Sequence, residues 1–207
     1  RGGDLEGDRD DCLAAHSVPM LHHKTDSFLL SHGRIKLYSM ARITLFRHSK
    51  AEPPSANLAD FDRRLSGKGR INAAQMGAFL AAQNILPEMI LVSPAARTME
   101  TLKIASQDWP DIEQIVCDGI YEASANGLLM LVAERASAVR NVMIIGHNPS
   151  LVVALNHMVG ERHTDRNLSS FPTSWVADVG FPVDRLGKIE PDEGTLLSMM
   201  RVRDLAL

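Results

Sequence analysis

The sequence predicts an α/β fold, a single domain with an open, mostly parallel sheet flanked by helices. Three observations predict it. Short apolar runs rich in β-branched residues occur at 43–46, 89–92 and 142–145 and read as buried strands. Segments of roughly helical spacing stand between them, the alternation expected of a parallel sheet. Neither an internal repeat nor a low-complexity tract interrupts residues 41–207, so one domain is the economical reading.

The first run, 43–46, ends at Arg47-His48. Residues 50–62 contain Pro53-Pro54 and several small polar side chains, which makes a loop. From Ser66 a helix follows, with Ile71, Ala74, Met76, Phe79 and Leu80 on its spacing and Gly69 and Gly77 as imperfections in it. Pro87 closes that region, and the strand at 89–92 stops at Ser93-Pro94. Pro94 suits the first turn of a helix running to about Ser106, which Trp109-Pro110-Asp111 breaks. Residues 115–117 read as a short strand and 128–134 as a helix. The run at 142–145 passes directly into Gly146-His147-Asn148-Pro149-Ser150. A helix over 151–159 then ends near Gly160, a residue favoured just past a helix terminus. Residues 175–180 and 196–202 complete the fold as strands.

Residues 1–39 read differently. They begin with Arg1, and 1–11 is a Gly/Asp/Arg cluster without periodicity. The apolar stretch at 28–30 is too short for the core of a secretory signal. Met40-Ala41-Arg42-Ile43 looks like a natural start leading into a strand, so 1–39 is expected to be an irregular N-terminal extension outside the 41–207 domain. His16, His22, His23 and His32 lie there without a recurring ligand spacing, and no metal or other cofactor is expected.

With 45% hydrophobic and 23% charged residues among 207, the composition suits a globular protein with one sizeable core. A net charge of −3 gives no global basic field, so neither nucleic acid nor an anionic membrane is an expected partner. Cys12 and Cys117 form no CxxC or Cys/His zinc pattern, and a reduced, cytoplasmic compartment fits. The longest apolar runs fall far short of the roughly 20 residues a membrane-spanning helix needs.

Ligands of open α/β sheets bind outside the carboxyl ends of the strands. Those ends carry Arg47-His48, then Arg97 just past Ser93-Pro94, then His147. Two imidazoles and two guanidiniums converging on one crevice make an anion-selective pocket, which a phosphoryl group requires. Neutral imidazole, with an ordinary pKa of about 6.5, is a usable nucleophile. A hydrogen bond from its far nitrogen to a backbone carbonyl would fix the tautomer.

Leu45-Phe46-Arg47-His48-Ser49-Lys50-Ala51 resembles the RHG signature of the histidine phosphatase superfamily. Asp62-Arg63-Arg64-Leu65 with Gly69 resembles its second motif, and Ser93-Pro94-Ala95-Ala96-Arg97 with Glu100-Thr101 its S-P-x-x-R block. Gly146-His147-Asn148-Pro149 resembles the late block of the SixA-type phosphohistidine phosphatases. The four occur in the family's order over about half the chain. The resemblance implies a phosphoglycerate-mutase-like fold, with His48 as the nucleophile that forms a phosphohistidine intermediate. It also implies that Arg47, Arg97 and His147 hold phosphate oxygens, with Arg63 a further cation near the pocket.

Two departures matter. Ser49 stands where the family usually has glycine, so the approach of backbone to phosphate is expected to differ. The general acid of mutase-like relatives has only one candidate, Glu122, in a stretch that is not diagnostic. An alkoxide leaves poorly unless protonated, help worth about 10²–10⁴-fold, whereas a ring-protonated phosphoimidazole already leaves well. A site without a dependable acid therefore suits phosphohistidine borne on a protein, and 41–207 leaves little room for a substrate-gripping cap. The alternatives are a small-molecule phosphomonoesterase and a non-catalytic module that binds a phosphorylated ligand.

Overall fold

The apolar runs become adjacent strands because each can bury both of its faces. In the computed structural model, which describes residues 40–160 and 171–205, six strands form one mixed sheet. They are β1 (Ala41–Arg47), β2 (Met89–Val92), β3 (Glu113–Val116), β4 (Asn141–Gly146), β5 (Trp175–Phe181) and β6 (Thr195–Arg201), in the order β3-β2-β4-β1-β5-β6. The first four run parallel. β5 is antiparallel to β1, and β6 to β5. The expectations for residues 1–39 and their histidines lie outside the described residues.

Among the described residues four α-helices flank the sheet: α1 (Gly67–Ala82), α2 (Ala96–Ala105), α3 (Ala125–Arg135) and α4 (Ser150–Val159). Ile43, Leu45, Leu91, Val142 and Ile144 pack with Leu128, Val132, Leu151 and Leu155 of α3 and α4. Their neighbours Phe46, Ile90, Val92, Met143 and Ile145 pack with Met76, Leu80 and Leu102 of α1 and α2. Side chains alternate across a strand, so a strand covered on both faces needs an unbroken apolar run. β3 and β6 stand at the two ends of this order, and β3 carries the weaker apolar pattern. Glu113, Gln114 and Val116 are exposed, which explains its weak pattern in the sequence. Among the described residues no helix is long and apolar enough to cross a membrane.

Helix α1 shows what its glycines are for. Ser66 caps it, accepting from the Gly69 N–H at 3.1 Å. A Cβ on Gly69 would stand 2.0 Å from the Lys50 carbonyl oxygen, and one on Gly77 2.1 Å from that of Ala105. Gly69 thus lets α1 start against the chain just past His48, and Gly77 lets α1 press on α2. The Trp109 indole N–H donates to the Gly77 carbonyl at 3.0 Å. Helix α2 begins at Ala96 rather than at Pro94, which precedes its cap Ala95.

The placement of the site follows from topology. β2, β4 and β1 are parallel neighbours, with Val92 opposite Ile145 and Arg47 opposite Gly146. Their carboxyl ends therefore release Ser93, His147 and His48 side by side.

Candidate active site

His48 leaves β1 with its backbone N–H donating to Gly146 O at 3.1 Å, and it is 8% exposed. Its Nδ1 lies 2.8 Å from the Ser49 carbonyl oxygen. A carbonyl only accepts, so Nδ1 carries the proton and Nε2 keeps the lone pair. The His147 ring centre is 5.1 Å away. His147 Nε2 lies 2.9 Å from Ser93 Oγ. That hydroxyl oxygen accepts from Ala95 N–H at 3.4 Å, and with its own proton turned to Nε2 the ring proton sits on Nδ1. The Nδ1 of His147 is then an N–H donor, and it is buried without a partner among the described residues. A buried unpaired donor is costly unless a ligand acceptor completes it.

The cations are anchored from behind. Arg47 Nη1 donates to Phe171 O at 2.7 Å, and Asn148 Nδ2 shares that acceptor at 2.8 Å. Arg97 gives 2.5 and 2.9 Å bonds to the Asp60 carbonyl and carboxylate. Arg63 donates to the same carboxylate at 2.5 Å and to Glu52 O at 3.0 Å. Together they line an open cavity of about 570 Å³ whose wall holds Arg47, Lys50, Arg63, Arg97, His48 and His147 but no carboxylate among the described residues.

This environment sets protonation. Burial, aided by the charges of His147, Arg97 and Arg47 and opposed by the Ser49 hydrogen bond, lowers the His48 pKa to about 3. Burial and Arg97 likewise lower His147 to about 4. Both rings are therefore neutral at pH 7. Burial also lowers Arg47, with Arg97 adding repulsion. For Asp60, burial pushes upward, but hydrogen bonds from Arg63 and Tyr121 and the charge of Arg97 prevail and bring it to about 2.

Arg47, His48, Arg63, Arg97 and His147 thus share one cavity. Glu122 does not join them: it is exposed and outside the residues that line the wall. Its neighbour Tyr121 comes closer. The Tyr121 hydroxyl donates to Asp60 Oδ2 at 2.9 Å, its ring stands edge-on to His147 at 5.3 Å, and Arg97 lies 5.6 Å over it. Tyr121 and Asp60 are missed by sequence reasoning, because Asp60 looks like one more charge in a loop and Tyr121 belongs to no motif.

Ser49 is accommodated without strain. It is fully buried and is not among the described non-glycine residues with positive φ, which are Asn84, Ser174 and Asp192. Its N–H donates to Thr101 Oγ at 3.0 Å, and that hydroxyl donates to Arg97 O at 2.6 Å. Its own Oγ accepts from Ser174 Oγ at 2.8 Å. Ser174 N–H is in turn shared between the carbonyls of Arg47 and His48 at 3.3 and 3.2 Å. Glu100 completes the frame, accepting from Leu65 N–H and Arg70 Nε, each at 2.8 Å.

Fold and site together define an α/β protein of phosphoglycerate-mutase-like architecture with a cation-lined cavity built around a histidine. Its likeness is to the histidine phosphatase superfamily, and within it to the SixA-type phosphohistidine phosphatases. A solved structure from Agrobacterium tumefaciens assigned as the phosphohistidine phosphatase SixA is 29% identical, with a TM-score of 0.68, covering 78% of this chain and 97% of that one. The protein histidine phosphatase SixA complexed with tungstate shares the fold at 22% identity and a TM-score of 0.65, covering 79% and 98%. An uncharacterized chloroplastic protein of Arabidopsis thaliana is 36% identical over 85 residues, which is 41% of this chain but only 35% of that protein's length. No family model matches the chain.

Proposed function

We propose that this protein is a phosphatase that hydrolyses protein-borne phosphohistidine through a phosphorylated His48. One observation carries the reading: a neutral imidazole whose Nδ1–H is tied to Ser49 O faces a wall of cations that holds no carboxylate among the described residues. The free Nε2 attacks phosphorus while the bond from phosphorus to the substrate's ring nitrogen breaks. The bond formed and the bond broken are of the same kind. With its other nitrogen protonated from solvent, the leaving imidazole departs neutral and needs no acid from the protein.

Arg47, Arg97 and the His147 N–H hold the three phosphoryl oxygens in transit, with Arg63 a further cation at the rim. Water then attacks the phosphorus on His48, yielding phosphate and the free imidazole. Glu122 is exposed and is not among the residues that line this wall, and Asp60 is held ionised by its cationic partners. Neither supplies the proton an alkoxide leaving group wants, which favours a P–N over a P–O substrate.

The test is acid-stable and acid-labile trapping of labelled phosphate. Brief exposure to phosphohistidine peptide should label His48 through an acid-labile bond, and His48→Ala should lose both label and turnover. Label on another residue, or faster turnover of sugar phosphates than of phosphohistidine peptide, would overturn the reading in favour of a phosphomonoesterase. Binding of phosphorylated ligand without turnover would mean a binding module.

A further inference from the structure

A second cavity, of about 400 Å³, lies beside the catalytic one and shares Thr173 with it. Its wall carries Lys68, Arg201 and Arg203, with Trp175, Pro172 and Val202 as apolar surface. Arg201 lies 5.3 Å over the Trp175 ring. Among the described residues that line it, this wall, like the catalytic one, has no carboxylate. Seven cations therefore line two adjoining cavities in a chain whose net charge is −3. Asp204 pairs with Arg201 and, at 3.7 Å, with Arg203, while Lys68 makes no ion pair with a described residue. The local field opposes the global one, and such a concentrated patch steers an oppositely charged partner.

We infer that this groove receives the acidic polypeptide segment that flanks the phosphorylated histidine of a partner protein. The inference rests on the proposed phosphohistidine reading and adds where the rest of the partner lies. Continuity at Thr173 means that a chain with its phosphoryl group among Arg47, Arg97 and His147 can run on into the groove. Carboxylates would there meet Lys68, Arg201 and Arg203. The face of Trp175, already polarised by a guanidinium, offers rigid area to apolar atoms between them. Small phosphorylated molecules would fill the catalytic cavity alone and leave this wall untouched.

The experiment pairs two substrates with one variant. Phosphohistidine peptides with acidic or neutral flanks, and phosphoramidate as a substrate without flanks, are compared in the native protein and in Lys68→Glu/Arg203→Glu. For the acidic peptide KM should rise about tenfold, the factor that ~1.4 kcal/mol of lost attraction produces, with kcat held. Added salt should erase the difference, and turnover of phosphoramidate should stay within twofold. Equal KM for acidic and neutral peptides in the native protein would overturn the groove while leaving the phosphatase reading intact.

If phosphoramidate and peptide are both inert in the native protein, the phosphatase reading fails instead. The groove is then judged by the fluorescence of Trp175, in a Trp109→Phe background, on titration with the unphosphorylated acidic peptide. A change that the double variant loses supports the groove, and no change overturns it. Displacement of the peptide by a single-stranded oligonucleotide at far lower concentration would also overturn it.

Discussion

His48 and His147 are alike in residue type, in position at the end of a parallel strand and in burial, yet the hydrogen bond behind each ring leaves a different nitrogen facing the cavity. His48 spends its Nδ1 proton on the Ser49 carbonyl and is left with a lone pair at Nε2. His147 has the Ser93 hydroxyl at Nε2, and when that hydroxyl donates the ring keeps its proton at Nδ1. The first is equipped to attack and the second to donate. On the proposed reading, what separates nucleophile from oxyanion donor is the partner behind each ring, a carbonyl in one case and a hydroxyl in the other.

The largest effect that breaks this comparison is loss of the lone pair. His48→Ala should lower kcat by about 10⁴-fold or more, the scale of losing a nucleophile. Tungstate affinity, measured by calorimetry, should persist because the cations remain. His147→Ala should cost about 10²–10³-fold, the usual loss of one oxyanion donor. Labelled phosphate should still be trapped on His48 in that variant. If it were not, His147 would share the nucleophilic role and the division of labour would be wrong. Ser93→Ala frees the His147 tautomer without removing the ring and should cost about tenfold, as supporting residues behind functional histidines do. Single-turnover kinetics would place the loss in the chemical step.

A reversible effect sharpens the comparison through pH. Burial, with the neighbouring cations, lowers His48 from 6.5 to about 3 and His147 to about 4. Between those values and 6.5 the unfolded chain binds more protons than the folded one, so stability is full above about pH 6.5 and is lost as pH falls toward 3. His147 contributes down to about 4 and His48 down to about 3. The melting temperature should drop progressively over that window in the native protein. His147→Gln should flatten the upper part of the fall. Bound tungstate, whose charge favours both imidazolium forms, should flatten all of it. A melting temperature independent of pH between 6.5 and 4 would show that the rings are not held neutral.

How much of this was legible in the sequence depended on the kind of force involved. Strands β1, β2 and β4 announce themselves because burial on both faces demands unbroken apolar runs, and their ends carry the motif residues. Arg47, His48, Arg63, Arg97 and His147 share one wall. What pattern could not supply was contact between distant segments. Gly69 and Gly77 look like flaws in a helix by propensity and turn out to be where backbone meets backbone. Asp60 gathers Arg63, Arg97 and Tyr121 from three parts of the chain, a role no local window contains. Glu122 is a carboxylate in about the region where relatives carry their general acid, whereas the adjacent Tyr121, just after the turn at 118–120, is the side chain that meets Arg97.

The smallest expected effect concerns Ser49, the position where the signature glycine is replaced. The lock on His48 uses the backbone carbonyl of this residue, and Thr101 holds its backbone N–H. Neither contact involves the side chain. The hydroxyl is turned to Ser174, behind the cavity. Ser49→Gly should therefore leave kcat and KM within about twofold while stability falls by about 1 kcal/mol, the loss expected for one buried hydrogen bond. In a protein of this size that is roughly 2–4 °C in melting temperature. Ser174→Gly should cost less, since Ser174 sits at φ 62, where glycine is at ease and the gain in backbone comfort offsets the lost bond. A tenfold change in kcat for Ser49→Gly would show that the side chain, and not the backbone behind it, sets the nucleophile.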